Sequence, residues 1–190
     1  MPRLRLRSGL QCLLAVLAAG CQAIGRTPET RAPALDARPG KELVENGSFE
    51  EWNEEGPVGW ATGPSPEGAI QSAEAPYGFL AADLLSGGDQ YTVLWQDLRT
   101  EEVLPEARLH VSCVAKAPEP NQLALSLSFL VDGERTKETR IYDGHGEWRT
   151  IRFVVNVPAG ADTGSFSIRL LRRPGYDGQV LADDVSVRLE

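Results

Sequence analysis

The amino-acid sequence predicts an all-β fold in which two antiparallel sheets pack face to face as a sandwich. Apolar residues recur at every second position from Glu42 onward, and no run of ten or more residues carries a helical apolar stripe. Turn-forming residues such as Asp132-Gly133 and Pro174-Gly175 separate these runs. Strands with one apolar face bury that face against a second sheet, so a sandwich around one core follows.

The N-terminal segment 1–20 predicts export. Three arginines precede an apolar stretch, Leu10–Ala19, that is too short to span a bilayer as a stable helix. Small residues and Cys21 follow, and this layout resembles a bacterial lipoprotein signal, although Ala18 stands where such signals usually carry leucine. The resemblance implies lipidation at Cys21. Because Gln22 is not the aspartate of an inner-membrane retention signal, the resemblance also implies an outer-membrane lipoprotein of the cell envelope. Signal cleavage without lipidation is the alternative and would give a soluble exported protein.

Residues 21–41 predict an extended tether, and residues 42–190 predict one folded domain. The tether is rich in Pro, Ala, Thr and Arg and shows neither helical nor strand periodicity. The whole chain carries a formal net charge of −8, so it lacks the basic footprint that nucleic acid requires. This charge also disfavours electrostatic docking on anionic lipid, which leaves the lipid anchor as the expected membrane contact.

Five apolar alternations define the longest strands of the domain. Each presents one apolar face to a core and one polar face to the outside, as half-buried strands do. Cys113 lies within the first of them, has no other cysteine in the domain, and is predicted to be a buried, inert thiol. The five runs are Leu109–Ala115, Leu123–Val131, Ile151–Val157, Phe166–Leu170 and Leu181–Leu189.

An acidic residue in the last run stands where the alternation requires a core side chain. Asp183 shares its phase with Val185 and Val187, which predicts that its carboxylate points inward. A buried, unpaired carboxylate is costly, so an arginine, backbone donors or a metal should compensate it. A strand-end aspartate that simply reaches solvent or a backbone amide is the alternative. The opening turn Asn46–Trp52 holds further carboxylates, and hard oxygen ligands from both ends of the domain suit Ca²⁺.

The two ends of the domain also carry recognisable motifs. The opening reads Glu42-Leu43-Val44-Glu45-Asn46-Gly47-Ser48-Phe49-Glu50, and the close reads Leu181-Ala182-Asp183-Asp184-Val185-Ser186-Val187. These motifs resemble carbohydrate-binding modules of the CenC type. The resemblance covers about residues 42–190 and implies a galactose-binding-like jelly roll. It also implies a structural Ca²⁺ held by Glu50 and Asp183, with Asp184 as a less favoured ligand. The stretch 104–109 departs from the family pattern, because it lacks the usual Gly and Tyr.

A sugar-binding surface needs aromatic side chains, because the C–H faces of sugar rings pack on flat π surfaces while polar groups bind the hydroxyls. Tyr91 and Trp95 share one strand face, opposite Leu94. If Leu94 faces the core, both aromatic rings point outward near Asp97, and these three residues form a predicted ligand platform. With the opposite phase, the two aromatic residues belong to the core.

The sequence therefore predicts a non-catalytic, membrane-tethered binding module whose partner is a glycan. It contains no Gly-rich loop before a helix, no histidine cluster and no nucleophile motif that would indicate an enzyme. The alternative is an adhesion or assembly subunit of the cell envelope that binds a protein partner and no sugar. An outward aromatic platform favours the sugar, and a flat face without aromatic residues favours the protein.

Overall fold

A computed structural model describes residues 40–63, 68–98, 100, 103 and 105–190. These residues form strands and connecting turns without a helix, which confirms the predicted all-β class, and no candidate membrane-crossing helix occurs among them. The signal segment, Cys21 and the tether up to residue 39 lie outside the described residues. The strands are β1 (Lys41–Glu42), β2 (Trp52–Asn53), β3 (Gly56–Pro57), β4 (Ala61–Gly63), β5 (Ala69–Ser72), β6 (Ala81–Leu84), β7 (Thr92–Asp97), β8 (Arg108–Lys116), β9 (Leu123–Val131), β10 (Glu134–Ile141), β11 (Arg149–Asn156), β12 (Ser167–Arg172) and β13 (Leu181–Leu189).

The strands of the described residues form two main antiparallel sheets. The six-stranded sheet has the order β11-β8-β13-β6-β5, and β1 pairs with the end of β13, where Lys41 lies opposite Leu189. The five-stranded sheet has the order β10-β9-β12-β7-β4. The short strands β2 and β3 form a separate hairpin. Neighbouring strands in both sheets are often distant in sequence, so the fold depends on long-range pairing.

The hydrophobic core lies between the two sheets. Leu125 and Leu127 from β9 are fully buried there, as are Val111 from β8 and Ile168 from β12. The alternation predicted for the four runs that begin at residues 109, 123, 151 and 166 is therefore confirmed. Cys113 is also fully buried, and its burial raises the pKa of the thiol, so this cysteine stays protonated and unreactive.

The last strand departs from the predicted alternation. Asp184 has a positive φ of 47°, and the pairing of β13 with β8 shifts register between Asp183 and Ser186, as it does at a β-bulge. The extra residue reverses the phase, so Ala182 and Val185 both join the core while Asp183 points to the other face of the sheet. The prediction that Asp183 shares a face with Val185 and Val187 is therefore wrong.

The opening loop packs against this bulge. The amide of Val185 donates a hydrogen bond of 2.8 Å to the carbonyl of Gly47. A Cβ atom on Gly47 would lie 1.9 Å from the carbonyl oxygen of Val185, so the close approach requires glycine at this position. The carboxylate of Glu42 adds bonds to Ser186 Oγ at 2.5 Å and to the amide of Val187 at 2.9 Å. These contacts hold the loop that carries Glu50 beside β13.

Candidate binding face and candidate metal centre

The outer face of the five-stranded sheet is a platform that crosses all five strands. The register places Trp95 of β7 between Ala61 of β4 and Arg169 of β12. On the far side of Arg169 lies Ser126 of β9, which is opposite Thr139 of β10. Since neighbouring strands lie about 4.8 Å apart, this central row spans roughly 19 Å.

The two rows that flank this central row differ in character. One is apolar, and its members on β7, β12, β9 and β10 are Val93, Leu171, Ala124 and Ile141. The other is polar, and its members on the same strands are Asp97, Ser167, Ser128 and Lys137.

Trp95 and Asp97 line one cleft at the edge of this face. The cleft has a volume of about 390 Å³, and Asn53 and Glu55 of the β2–β3 hairpin contribute to its lining. Trp95 is half-buried and Asp97 is exposed, so both offer side-chain surface to a ligand. The indole of Trp95 lies against Gly63, where a Cβ atom would sit 3.1 Å from the ring carbon Cζ3.

The alternation along β7 settles the orientation of its aromatic residues. Leu94 is fully buried in the core, and Gln96 is only 5% exposed. Trp95 therefore points outward, and Tyr91 just before the strand is 49% exposed. Tyr91 lies four residues before Trp95, roughly 13 Å along an extended chain, and is not among the residues that line the cleft. The structure thus brings Trp95 and Asp97 together and leaves Tyr91 apart from them.

Gln96 stabilises the cleft through hydrogen bonds on the buried side of β7. Its Nε2 donates to the carbonyl oxygens of Glu45 and Gly59, both at 2.9 Å, and its Oε1 accepts a 2.7 Å bond from the amide of Glu45. A buried amide with these partners is satisfied, and its removal would leave backbone groups unpaired. Gln96 therefore holds the opening loop against the strand that presents Trp95.

Asp183 is the buried acid that the sequence predicted, although on the other face of its sheet. It is completely buried, and its Oδ1 accepts a 2.7 Å hydrogen bond from the amide of Asp184. Its Oδ2 is buried without a hydrogen-bond partner, and it joins no ion pair within the described part of the chain. Burial raises the pKa of Asp183 to about 7, and the charges of Asp184 and Glu50 add to this, while the amides of Asp184 and Tyr77 partly offset it.

Glu50 brings a second carboxylate to the same place. Its Oε1 accepts hydrogen bonds from the amides of Phe79 and Leu80, at 2.8 and 3.1 Å. Gly78 just before them has a φ of +66°, and a Cβ atom there would lie 2.1 Å from Glu50 Oε1. Glycine at position 78 therefore lets the chain wrap around the carboxylate. Glu50 lies near enough to Asp183 for its charge to raise the pKa of that buried acid.

The orphaned oxygen of Asp183 and the adjacent Glu50 fit a hard cation. Ca²⁺ takes six to eight oxygen ligands, and carboxylates are its usual charged donors. Asp184 is half-buried at the bulge and contributes its amide to Asp183. No cluster of three or more His, Cys, Asp and Glu side chains suited to a metal occurs among the described residues. Main-chain carbonyls or water would therefore complete the shell around a cation here.

Sequence reasoning missed four polar residues on the binding face, namely Arg135, Arg169, Ser128 and Ser167. Ser128, Ser167 and Arg169 stand out of phase with the core residues of their strands, and this signal identifies an outward position, whereas β10 has no apolar alternation that would orient Arg135. The signal does not tell which strands are neighbours. The strand order β10-β9-β12 brings the four together from positions as far apart as Ser128 and Arg169, which are 41 residues apart, and local sequence patterns do not specify that order.

Comparisons with known proteins identify the fold. No family model and no curated protein matches the chain. Among solved structures, a "Family 16 Carbohydrate Binding Module-2" matches with a TM-score of 0.59 and 15% identity over 76% of this chain and 98% of the module. The CBM22-1 xylan-binding domain of Paenibacillus barcinonensis Xyn10C matches with a TM-score of 0.57 and 18% identity over 80% and 97%. TmCBM61, in complex with β-1,4-galactotriose, matches with a TM-score of 0.53 and 16% identity over 79% and 99%.

These likenesses define the class of the domain. It is a jelly-roll β-sandwich of the carbohydrate-binding-module type, which confirms the fold that the opening and closing motifs implied. The likeness concerns the arrangement of the strands.

Proposed function

We propose that this chain is a non-catalytic module that binds a glycan on the outer face of the five-stranded sheet. The observation that carries the proposal is the outward indole of Trp95 beside the 390 Å³ cleft. Sugar rings pack their C–H faces on such a ring, and the side chains of Asp97, Asn53 and Glu55 offer hydrogen-bonding groups to the hydroxyls. The xylan-binding domain and the galactotriose complex among the similar folds support carbohydrate as the ligand class.

Replacing the indole tests this proposal. Trp95→Ala should abolish binding on a glycan array while it changes the melting temperature little, because the ring is only half-buried. Phe79→Ala is the matched control, since Phe79 is 84% exposed and lies outside this face, and it should bind as wild type does. A wild-type protein that binds no glycan on the array would favour the adhesion or assembly alternative. If Trp95→Ala unfolds the domain, binding by Asp97→Ala decides whether this face contacts sugar, because Asp97 is exposed and lines the same cleft.

A structural Ca²⁺ at Asp183 and Glu50 is the second part of the proposal. The buried oxygen of Asp183 without a partner and the neighbouring carboxylate of Glu50 support it. When bound, the cation would compensate the negative charges of these two carboxylates. Asp183 and Glu50 would hold it, and Asp184, which is only half-buried, is the less favoured candidate ligand. The ion would thereby fasten the opening loop to the last strand.

The third part concerns the N-terminal residues and rests on the sequence. Cys21 would carry the lipid anchor, the following residues would form a tether that ends before Lys41, which already belongs to β1, and the domain would stand at the outer membrane. A partner in the envelope would then be a glycan at the cell surface or in the periplasm. The anchor would keep the module at the membrane while its ligand face stays free.

A further inference from the structure

We propose that the outer face of the five-stranded sheet selects an acidic polysaccharide, with an oxyanion seated between Arg135 and Arg169. This inference rests on the proposed glycan-binding function and adds the charge class of the ligand. Carboxylate and sulfate groups share the required chemistry, because both present two or more oxygens to planar guanidinium groups.

The first observation is that the two arginines converge. Arg135 from β10 donates from Nη1 to Ser128 Oγ at 3.4 Å, and Arg169 from β12 donates from Nε to Ser167 Oγ at 3.3 Å. The two serine hydroxyls are themselves 2.9 Å apart. A chain of three hydrogen bonds thus joins the two guanidinium groups over the centre of the sheet. Arg135 lies on an edge strand and is exposed, yet its side chain lies inward over this face.

The second observation is that the cations on this face have no acidic partner. Neither arginine lies within 4.0 Å of a carboxylate in the part of the chain that the structure describes, and the same is true of Lys137 in the flanking polar row. Asp97 is the acidic residue of the flanking polar row. It lies on β7 beside the cleft, and β12 and β9 separate it from Lys137 on β10. Positively charged side chains thus cluster on this face, although the whole chain carries a net charge of −8. Two like charges held near each other favour an anion between them.

The floor beneath the two arginines suits an oxyanion. Ser128 and Ser167 are each 3% exposed, and their hydroxyls lie against the two guanidinium groups that donate to them. One of the two hydroxyls spends its hydrogen on the bond between the serines, so the other can donate to a ligand oxygen while it accepts from an arginine. Arginine also provides several donors in one plane, which a carboxylate or sulfate matches better than a neutral hydroxyl does.

The position of this pair relative to Trp95 suits a polysaccharide rather than a small anion. Arg169 is the direct cross-strand neighbour of Trp95, and Arg135 lies two strands further on. From β7 to β10 the face extends over three strand spacings, or roughly 14 Å. A sugar on the indole and an acidic group between the arginines can therefore belong to one oligosaccharide.

Matched pairs of polymers test the inference. Wild type is titrated calorimetrically with oligogalacturonate and with its fully methyl-esterified form, and separately with a sulfated galactan and its desulfated form. We expect at least one acidic member to bind about tenfold more tightly than its neutral counterpart, and its affinity to fall as salt is raised. The two pairs also distinguish carboxylate from sulfate as the recognised group.

Three variants separate this site from general electrostatics. Arg135→Gln and Arg169→Gln should each weaken binding of the preferred acidic ligand about tenfold. Arg152→Gln is the matched control, because Arg152 is an exposed arginine on β11 of the opposite sheet and should leave binding unchanged. Melting temperatures show whether each variant is folded. If Arg169→Gln unfolds, the affinity of Arg135→Gln tests the site, because Arg135 is exposed on an edge strand.

The outcomes are distinguishable from those of the proposed function. Equal affinity for the charged and neutral members of both pairs, an equal loss in Arg152→Gln, or no binding to any of the four polymers would overturn the acidic preference. If Trp95→Ala abolishes binding of a neutral polymer and the arginine variants do not change it, glycan binding stands and the acidic preference is wrong. If the arginine variants lose an acidic ligand that Trp95→Ala retains, the anion site stands and the aromatic platform is wrong.

Discussion

Asp183 shows how one residue can be predicted correctly for an incorrect reason. The sequence predicted a buried carboxylate from the alternation of the last strand, and Asp183 is buried. The bulge at Asp184 reverses that alternation, so the burial comes from the opening loop and the chain around Tyr77, which cover the other face of the sheet. A bulge adds one residue without changing the residue types around it, and the sequence pattern alone does not locate it.

The first prediction concerns calcium at this residue. A ligand that binds the native state and not the unfolded chain stabilises the fold by about 2.7 kcal/mol at a hundredfold excess over its Kd. Adding Ca²⁺ should therefore raise the melting temperature of wild type relative to chelator, and Asp183→Asn should abolish this rise. Asp184→Asn is the control and should keep most of it. Identical wild-type melting curves in calcium and in chelator would contradict the metal site.

A second prediction at the residue scale concerns pH in the presence of chelator. The pKa of Asp183 is about 7 in the folded protein against an ordinary 3.8, so folding favours its protonated form. The stabilising contribution is fully present below pH 3.8 and is lost as pH rises to about 7. In urea titrations, the free energy of unfolding of wild type should fall across this window relative to Asp183→Asn, which stays neutral. A constant difference between the two proteins would show that folding does not raise the pKa of Asp183.

At the scale of elements, the strands were more predictable than their contacts. The period-2 runs that begin at residues 109, 123, 151 and 166 indicated both the strands and their core faces. A strand buried on one face has alternating apolar and polar residues, and this alternation is visible in the sequence. The short strands β1 to β4 have too few residues to show such an alternation. The loop that joins β1 to the β2–β3 hairpin is held by close backbone contacts with β13, which no local sequence pattern predicted.

The contact between this loop and the last strand gives a prediction at the same scale. Gly47→Ala places a Cβ atom against the carbonyl of Val185, where the structure leaves 1.9 Å, so the loop must move away from the bulge. Such overpacking should lower the free energy of unfolding by about 1–3 kcal/mol and weaken any calcium response. Gly164→Ala is the control, because its nearest neighbour would be 3.5 Å away, and it should change stability little. Chemical denaturation of both variants measures the difference.

At the scale of the whole molecule, the binding face illustrates what a single sequence does not contain. Trp95 and Asp97 were found because they are close in sequence and their strand has a clear phase. Arg169 is the cross-strand neighbour of Trp95 but lies 74 residues further along the chain. Which strands become neighbours depends on how two whole sheets assemble. The strand order was therefore needed to identify Arg135 and Arg169 as parts of the same face.

A prediction for the whole chain concerns its anchor. Cys21→Ser should move the protein from the membrane fraction to the soluble fraction, because acyl chains on this cysteine are the expected membrane contact. Cys113→Ser is the control, since that cysteine is buried in the domain and should not affect fractionation of the folded protein. Mass spectrometry of the mature N-terminus gives an independent measurement. A wild-type protein without acyl mass that is already soluble would contradict the anchor.

The two ends of the domain lie together on one sheet. Lys41 of β1 pairs with Leu189 of β13, and both strands belong to the six-stranded sheet, whereas the proposed ligand face is the outer side of the five-stranded sheet. Entry and exit of the chain are therefore side by side and on the opposite side of the sandwich from the proposed ligand face. The domain has the geometry of an insertable cassette, which could be spliced into a surface loop of another protein, or fused at either terminus, with its ligand face left unobstructed.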